Sequence, residues 1–341
     1  MEDNKLTQYI GKSSIRYDKP AFISDYASVV GKLESNGPLG KLFDEVVMDP
    51  MFGSECWEEA ESALQKETLK CLLKKSNLKP VDIRYVFGGD LLGQLIATSF
   101  GIIDYKIPFF GLYGACSTMG EAMTLASMTI SAGFADKTIA MASSHFASAE
   151  KTFRFPLGYG CQRKECATWT VIGCGAVVLD AKKGIAKITG VTPGKMVDFG
   201  VKESDNMGAC MAPAAADTIY THLKDFQLEP NYYDKIITGD LGYVGQTILI
   251  DLLKAKNIDI SANHMDCGIE IYDKETQCTN SGGSGCGCSA STLCSLILRN
   301  IAEKKWNRIL FVPTGALLNP ISFNEGNTIP GIAHAVVIES V

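Results

Sequence analysis

The sequence lacks long runs of basic residues and has an excess of acidic ones. Its 341 residues include 32 Lys and Arg against 38 Asp and Glu, which gives a formal charge of -6. Basic stretches are limited to pairs such as Lys74-Lys75 and Lys182-Lys183. Proteins that bind nucleic acids usually carry clustered Lys and Arg, so we expect no nucleic-acid partner.

Long apolar runs are also missing. The first 20 residues contain early acidic residues and no apolar core, which does not fit a secretory signal or a transit peptide. The most apolar windows, such as residues 309–318, reach about half the length that a membrane-spanning helix needs. We therefore expect a soluble, cytoplasmic protein that reaches a membrane only through partners.

Paired cysteine motifs are absent, although the chain has 12 cysteines. Without a signal peptide, irregularly spaced cysteines are typical of a reducing compartment in which thiols stay free. The closest pairs, Cys161 with Cys166 and Cys286 with Cys288, do not match the Cys-x2-Cys spacing of zinc sites. We expect neither disulfides nor a structural metal.

Three segments of the first half of the chain recur in the same order in the second half. Residues 78–91 align with 228–241, the region at 114–117 resembles that at 286–289, and residues 173–179 match 332–338. The matches pair Asp90 with Asp240, Cys116 approximately with Cys288, and Gly175 with His334. A duplication is therefore predicted, with one half over residues 1–190 and the other over 191–341.

Both halves alternate strand and helix patterns. Apolar periodicity predicts helices over 55–75, 116–132, 214–226 and 289–303, and strands over 83–87, 138–142, 176–179 and 236–238, with two more near 309 and 335. Such alternation predicts mixed, largely parallel sheets covered by helices. Two halves packed face to face form a five-layered α/β/α/β/α fold, connected by residues 181–212. Segments 101–113 and 146–163 are long enough to be functional loops.

The stretch GLYGACSTMG at residues 111–120 places Cys116 where an apolar strand gives way to a helix. A thiol at a helix N-terminus has a lowered pKa, and anions are favoured nearby. Free cysteine is also among the most buried residue types and packs as a small hydrophobe. The sequence leaves three roles open for Cys116: nucleophile, floor of a binding pocket, or core residue.

Few histidines are available as a base for such a cysteine. His145 follows a strand, His334 lies within the final strand, and His264 lies in a loop, and we rank them as site candidates in the order His145, His334, His264. We expect the fourth, His222, to lie on a solvated helix face. For each histidine, a structural role is the simpler interpretation.

The strand ends at Asp90 and Asp240 and the helix starts at Cys116 and Cys288 are predicted to converge near the interface of the halves, where sites in open α/β sheets form. The glycine-rich segment 281–287 does not fit the GxGxxG pattern because Cys288 occupies the last glycine position, so nucleotide binding is not expected. Its glycines let a ligand approach the backbone, and the amides at Cys116 and 285–288 suit carboxylates.

Several motifs together carry a resemblance to known proteins. They are GACST at 114–118, FRFP at 153–156, MAPAAADT at 211–218 and GGSGC at 282–286. With them, the chain resembles the thiolase superfamily and, within it, the stage V sporulation protein AD family over essentially its whole length. The resemblance implies a thiolase-like fold, a homodimer, and binding of dipicolinic acid (pyridine-2,6-dicarboxylate) during its uptake into the developing spore. It also implies membrane proteins of the same operon as partners, at the inner membrane of the forespore.

The same resemblance argues against catalysis. By correspondence with ketoacyl synthases, Cys116 is kept while Asp240 and Cys286 replace the catalytic histidine and asparagine, and residues 329–331 lack the late Cys-x-Gly motif of thiolases. We therefore expect a binding protein rather than an enzyme. The expected ligand-binding residues are Asp90, Cys116, His145, Asp240, Gly285, Cys286, Cys288 and His334. The alternative is an acyltransferase in which Cys116 accepts the acyl group.

The two aspartates create a charge conflict with such a ligand. Asp90 and Asp240 would repel a dianion in a poorly solvated cleft unless one is protonated, one points away, or a cation bridges them. We therefore expect Ca²⁺ or protonation to assist binding. No other cofactor is expected.

Overall fold

The computed structural model describes residues 7–154, 157 and 163–341. The strands are β1 (Thr7–Ile10), β2 (Ser14–Val30), β3 (Glu45–Val46), β4 (Tyr85–Gly89), β5 (Phe109–Gly111), β6 (Lys137–Ser144), β7 (Trp169–Thr170), β8 (Gly173–Asp180), β9 (Ala186–Thr192), β10 (Lys235–Thr238), β11 (His264–Asp266), β12 (Gly283–Ser284), β13 (Arg308–Val312), β14 (Thr314–Ala316), β15 (Gly331–Ala333) and β16 (Ala335–Ser340).

The helices are α1 (Lys32–Ser35), α2 (Trp57–Ser76), α3 (Ile96–Ile102), α4 (Thr118–Ser131), α5 (Phe146–Glu150), α6 (Met207–Phe226), α7 (Gly242–Lys254), α8 (Cys267–Glu270), α9 (Lys274–Gln277), α10 (Cys286–Thr292), α11 (Leu298–Ala302) and α12 (Pro320–Asn324). A π-helical turn, Leu293–Ile297, joins α10 to α11. No helix within the described residues is both long and apolar enough to cross a bilayer.

The main sheet shows the duplication in its strand order. The order is β5-β4-β6-β8-β2 in the first half and β11-β10-β13-β16-β9 in the second, so equivalent strands occupy equivalent places. In each half, three neighbouring strands run parallel and the next one is antiparallel. The halves are joined by antiparallel pairing of β2 with β9. The predicted duplicated α/β fold is confirmed.

Three apolar cores hold the layers together: a central core between the two half-sheets, and one core between each half-sheet and its outer helices. Adjacent residues of a strand point to opposite faces, and Ile139 of β6 packs in a core with α2 whereas Ala140 packs in the central core. In β13, Leu310 packs in a core with α6 and α7, and Phe311 joins the central core. The central core also contains α4 and α10, which therefore lie between the two half-sheets. The layers are helix, sheet, helix, sheet, helix, as predicted.

The outer helices of the two halves end in the same way. Asn77 after α2 and Gln227 after α6 both adopt left-handed backbone, with φ of 54° in each case. The next amides, of Leu78 and Leu228, donate back to carbonyls in the last helical turn, which is the usual way to close a helix with a left-handed residue. A proline two residues later then starts a short turn into β4 or β10. This repeated structure accounts for the match between residues 78–91 and 228–241.

Some predicted segments are organised differently. Residues 181–212, expected as a connection, contain β9 and the start of α6, and residues 101–113 contain β5. The boundary predicted at residue 190 falls inside β9 and stays a prediction. Helix α6 begins at Met207 and continues through Pro213, whereas the sequence predicted a start after this proline. Residues 155, 156 and 158–162 lie outside the described residues, and they include the end of the FRFP motif and Cys161.

Candidate functional site

A cavity of about 250 Å³ lies beside Cys116 and receives residues from both halves. Its described lining is Leu91, Tyr113, Ala115, Cys116, Ala149, Thr152, Phe153, Thr170, Met207, Ser284, Gly285, Ala316, Leu317, Leu318 and Asn319. None of these side chains is charged, and none is a histidine. A larger open groove, of about 930 Å³, lies at the opposite ends of β4, β5 and β6 and contains none of the predicted site residues. The smaller cavity, called the Cys116 pocket below, is therefore the candidate site.

A tight turn presents Cys116 to the pocket. After β5 the chain forms a 3-10 turn over Ala115–Ser117, which leads directly into α4. Ala115 has a left-handed φ of 51°, unusual for a residue with a side chain. The Ser117 hydroxyl donates to the Gly114 carbonyl at 2.7 Å and fixes the turn. Cys116 is 6% exposed and lies in the pocket wall, so it is placed as part of the pocket surface.

Asp240 lies next to the Cys116 thiol and is not part of the described pocket lining. It follows β10 and is 1% exposed. One carboxylate oxygen accepts a hydrogen bond from Thr314 Oγ1 at 2.8 Å, and the other accepts one from the Gly285 amide at 2.9 Å. Burial raises the pKa of Asp240 to about 7, although the Cys116 thiol and these donors favour its charged form. Burial, followed by the Asp240 carboxylate, raises the pKa of the Cys116 thiol well above its ordinary value.

Cys286 and Cys288 lie beneath the pocket rather than on its surface. Both are fully buried on α10. Cys286 Sγ donates to the Ser143 carbonyl at 2.8 Å, and Cys288 Sγ donates to the Gly239 carbonyl at 3.7 Å. Burial raises the pKa of each thiol well above its ordinary value. The neighbouring Gly285, with a φ of 98°, does line the pocket.

Asp90 occupies the equivalent strand end but faces a different loop. Its carboxylate accepts hydrogen bonds from the amides of Leu92 and Thr98 at 2.8 Å each, and from the Thr98 hydroxyl. It is fully buried and does not line the Cys116 pocket. Burial raises the pKa of Asp90 above its ordinary value, and these three donors make the increase smaller. The duplication therefore supplies two aspartates, of which only Asp240 contacts Cys116.

A buried polar network that the sequence did not reveal connects Asp90 to β6. Gln65 Nε2 donates to Thr98 Oγ1 at 2.9 Å and to Ser143 Oγ at 2.7 Å. The Ser143 hydroxyl in turn donates to Glu61 at 2.9 Å. Burial, with a contribution from the Asp90 charge, raises the pKa of Glu61 to about 8. Because Glu61 and Gln65 occupy the buried face of α2, only their polar character within an apolar helical stripe could have marked them.

A second buried cluster lies behind one wall of the pocket. Glu150 at the end of α5 is fully buried, and its carboxylate accepts hydrogen bonds from Arg154 at 2.8 Å and from Arg163 at 2.5 Å. The amide of Thr170, which lines the pocket, also donates to Glu150. Arg154 reaches further, to Asp205 at 2.9 Å. These pairs fix the segment that carries Phe153 and Thr170.

Histidines take no part in the lining of the pocket as far as the described residues define it. His145 accepts a hydrogen bond at Nδ1 from the Ala147 amide, so its Nε2 proton is directed at the Pro50 carbonyl, 2.8 Å away. His334 accepts from the Gly194 amide at 3.2 Å. Burial lowers the pKa of both rings, that of His334 to about 4.

The two remaining histidines are also hydrogen-bonded, His264 in a half-buried position and His222 in a buried one. His264 receives a hydrogen bond from Gln246 and contacts Thr238 Oγ1 at 3.0 Å. His222 was predicted on a solvated helix face, and this is wrong: it is fully buried, with its ring nitrogens 2.7 Å from Thr192 Oγ1 and 2.6 Å from the Tyr233 hydroxyl. A polar residue on an otherwise mixed helix looks solvated in sequence, but here two partners from other elements satisfy it.

The pocket contributes uncommitted hydrogen-bonding groups. The hydroxyls of Thr170 and Ser284 make no side-chain hydrogen bond to other described residues. Asn319 uses its side-chain oxygen to accept from the Ile321 amide, and its NH2 group makes no hydrogen bond to other described residues. No group of three or more potential metal ligands is assembled within residues 7–154, 157 and 163–341. The pocket is therefore suited to hydrogen bonding and apolar contact.

Solved structures with a similar fold include a thiolase and an acyl-carrier-protein synthase. The human mitochondrial 3-ketoacyl-CoA thiolase aligns with a TM-score of 0.58 and 10% identity, covering 95% of this chain and 99% of the thiolase. The 3-oxoacyl-[acyl-carrier-protein] synthase III of Aquifex aeolicus VF5 aligns with a TM-score of 0.54 and 15% identity, covering 94% of this chain and 99% of the synthase. At such identities the likeness shows a thiolase-like fold and nothing about activity.

Sequence comparison gives a much closer relationship. The chain is 42% identical over 335 residues to the stage V sporulation protein AD of Bacillus subtilis (strain 168), with 98% of each chain covered. The family model described as stage V sporulation protein AD matches residues 11–339. Together with the thiolase-like fold, these matches show that the chain belongs to the stage V sporulation protein AD family.

Proposed function

We propose that the Cys116 pocket binds dipicolinic acid and that the protein assists uptake of this acid into the developing spore without catalysing a reaction. Membership of the stage V sporulation protein AD family supports a role in spore formation. The observation that carries the proposal further is the pocket itself. It has a cysteine in its wall, yet its described lining supplies no histidine that could act as a base.

The size and chemistry of the pocket suit a small aromatic ligand. Its volume of about 250 Å³ lies just below the range of roughly 300–1,000 Å³ found for drug-sized ligands. Leu91, Phe153 and Leu318 offer apolar contact to a flat ring. The hydroxyls of Thr170 and Ser284 can donate to ligand carboxylates, which are strong acceptors.

The two carboxylates of dipicolinic acid need charge compensation that the described pocket side chains do not supply. Neither Asp240 nor Asp90 is part of the described pocket lining, and the carboxylates of both accept hydrogen bonds from other protein groups. The described lining nevertheless supplies no cationic side chain. We therefore propose that Ca²⁺ or a proton accompanies the ligand, because Ca²⁺ binds carboxylate oxygens readily.

Calorimetric titration with dipicolinic acid tests the proposal. We expect saturable binding that is stronger with Ca²⁺ than with a chelator. Ser284→Ala removes one donor and should weaken binding about tenfold, which corresponds to one charge-assisted hydrogen bond. Ser289→Ala is the matched control, because Ser289 is equally buried on α10, bonds to the Cys286 carbonyl and does not line the pocket.

Two outcomes would overturn the binding role. Absence of saturable heat under both ionic conditions would remove dipicolinic acid as the ligand. Labelling of Cys116 by an acyl-CoA, with turnover of the acyl group, would establish the alternative of an acyltransferase.

The cellular setting is proposed from the family alone. The protein is expected to act at the inner membrane of the forespore as a peripheral protein held by membrane proteins of the same operon. Fractionation of sporulating cells checks this: the protein should sediment with forespore membranes and should be released when those membrane proteins are deleted. Sedimentation that persists in the deletion strain would contradict attachment through these partners.

A homodimer is proposed through the edge strand β5. This strand ends the sheet and pairs only with β4 among the described strands. Large apolar side chains next to it, Phe100, Ile103, Phe110 and Tyr113, are each at least half exposed. Exposed strand edges and apolar patches commonly pair with a second chain. Phe110→Lys should convert a dimer to a monomer in sedimentation, whereas Phe199→Lys, at an exposed apolar residue between β9 and α6, should not.

A further inference from the structure

An open groove of about 930 Å³ lies at the starts of β4, β5 and β6, whereas the Cys116 pocket lies beyond the ends of these strands. The groove lining contains four cationic and two acidic side chains, although the whole chain has a formal charge of -6. Two apolar side chains of the lining, Val81 and Phe134, are 85% and 72% exposed. The groove therefore combines positive charge with apolar surface.

Three of the four cationic groups have no anionic partner within residues 7–154, 157 and 163–341. They belong to Lys79, Arg84 and Lys106, which are all exposed. The fourth, Lys137, forms a salt bridge with Asp180 at 2.6 Å. The three unpaired cations do not stabilise the fold through ion pairs, and they are accessible to an anionic group from another molecule.

The second half of the chain uses the equivalent place differently. Arg84 is equivalent to Asp234 by the internal repeat. The amide of Arg84 donates to the Lys137 carbonyl and that of Asp234 to the Arg308 carbonyl, at 2.9 Å in both cases. The Asp234 carboxylate also accepts hydrogen bonds from the amides of Asn307 and Arg308 at 2.6 and 2.9 Å. Because arginine cannot accept such bonds, the first half has an unpaired cation where the second half has a bridging carboxylate.

A second equivalent position differs in the same way. Asn263 precedes β11, and its side chain donates to two carbonyls of the turn before β10, at 2.9 and 2.8 Å. Pro108 has the equivalent place before β5, since the amides of Val86 and Ile236 donate to the carbonyls of Pro108 and Asn263 respectively. Proline has no side-chain donor. The groove therefore lies where the second half has side chains that bridge neighbouring strands.

We propose that this groove binds an extended acidic segment of a partner protein, and that the segment also carries apolar side chains. Its carboxylates contact Lys79, Arg84 and Lys106, and an apolar side chain packs against Phe134. A bilayer surface is flat on this scale and would contact the rim of a concave groove without filling it. The exposed Asp136 disfavours a carboxylate directly beside it, which restricts how the segment lies. The groove is remote from the Cys116 pocket, so the proposal does not depend on the ligand of that pocket.

Fluorescence anisotropy with a labelled random copolymer of glutamate and tyrosine tests the proposed chemistry. We expect saturable binding that weakens as salt is added, because salt screens exposed charges. Arg84→Glu should weaken binding about tenfold, and Phe134→Ser should weaken it as well. Lys41→Glu is the matched control and should leave the affinity unchanged. Lys41 is also exposed, and it follows the end of β2 that lies level with the last residues of β6, away from the groove.

Five results would overturn the proposal. Two concern the copolymer: absence of saturable binding, and an equal loss of affinity in Arg84→Glu and Lys41→Glu. Equally tight binding of polyglutamate would show that apolar side chains take no part. Flotation with phosphatidylglycerol vesicles that Arg84→Glu abolishes would assign the groove to a lipid surface. Loss of a dimer in sedimentation of folded Arg84→Glu would assign it to a second copy of the chain.

Discussion

Replacing Glu61 with Gln removes a buried carboxyl group that makes the folded state sensitive to pH. Burial and the Asp90 charge raise the pKa of Glu61 from 4.5 to about 8. The unfolded chain releases this proton near pH 4.5, whereas the folded protein keeps it until about pH 8. Between these values the folded state binds more protons than the unfolded state, so stability falls as pH rises. At about 1.4 kcal/mol per pKa unit, the full difference corresponds to about 5 kcal/mol.

Urea unfolding at several values from pH 5 to 9 measures this effect. The Glu61 carboxylate accepts hydrogen bonds from the Ser143 hydroxyl at 2.9 Å and from the Ser148 hydroxyl at 2.7 Å. Gln has the size of Glu and can still form hydrogen bonds with both hydroxyls. The free energy of unfolding of Glu61→Gln relative to wild type should rise by about 3 to 5 kcal/mol between pH 5 and pH 9. Glu59→Gln, at an exposed position of the same helix, should follow the wild type. Parallel curves for Glu61→Gln and wild type would refute the reasoning.

Three further substitutions test other parts of the structure. Glu150→Ala leaves two arginines without their buried partner and should cost about 3 to 5 kcal/mol of unfolding free energy by urea titration; a loss below 1 kcal/mol would contradict this. Gly287→Ala places a methyl group 2.2 Å from the Gly173 carbonyl and 2.7 Å from Ser144 Oγ, so it should lower the melting temperature strongly, whereas Gly93→Ala, with open space around it, should not. Tyr233→Phe leaves Nε2 of His222 without its hydroxyl partner and should cost about 1 to 3 kcal/mol in the same titration, a cost that disappears if a water replaces the hydroxyl.

The sequence predicted the repeated parts of the fold better than the strands that join them. Helix α2 and strand β6 were placed within a few residues because their apolar periodicity is local and regular. Strand β9 was taken for a connection, since its short sequence lies between a Lys-Lys-Gly segment and a Pro-Gly pair that resemble loops. Its place beside β2 depends on pairing between residues more than 160 positions apart, for example Ile15 with Val191.

The candidate site shows the same limit. Motif position placed Cys116 near Asp240, and the structure brings them together. The bonds that orient Asp240 join it to Thr314, 74 residues away, and Glu61 meets Ser143 across 82 residues. Local sequence patterns do not indicate contacts between residues so far apart in the sequence, so the network around Glu61 was not predicted. His145 was ranked first as a site candidate because it follows a strand, but its ring is directed at the Pro50 carbonyl instead.

Pairing of β2 with β9 limits how the pocket can open. The two halves share a backbone ladder in two stretches, separated by a register shift between Arg16 and Ala21, and the second stretch includes Ala21 with Ile188 and Ile23 with Ala186. Rotation of one half against the other would break these backbone bonds in a buried region, which opposes hinge motion of the kind found in clamshell binding proteins. We therefore expect a ligand to exchange without rotation of the halves, past the surface segments that border the pocket, such as the one that carries Leu317 and Leu318. Substitutions in those segments should alter exchange rates while the frame around Cys116 stays fixed.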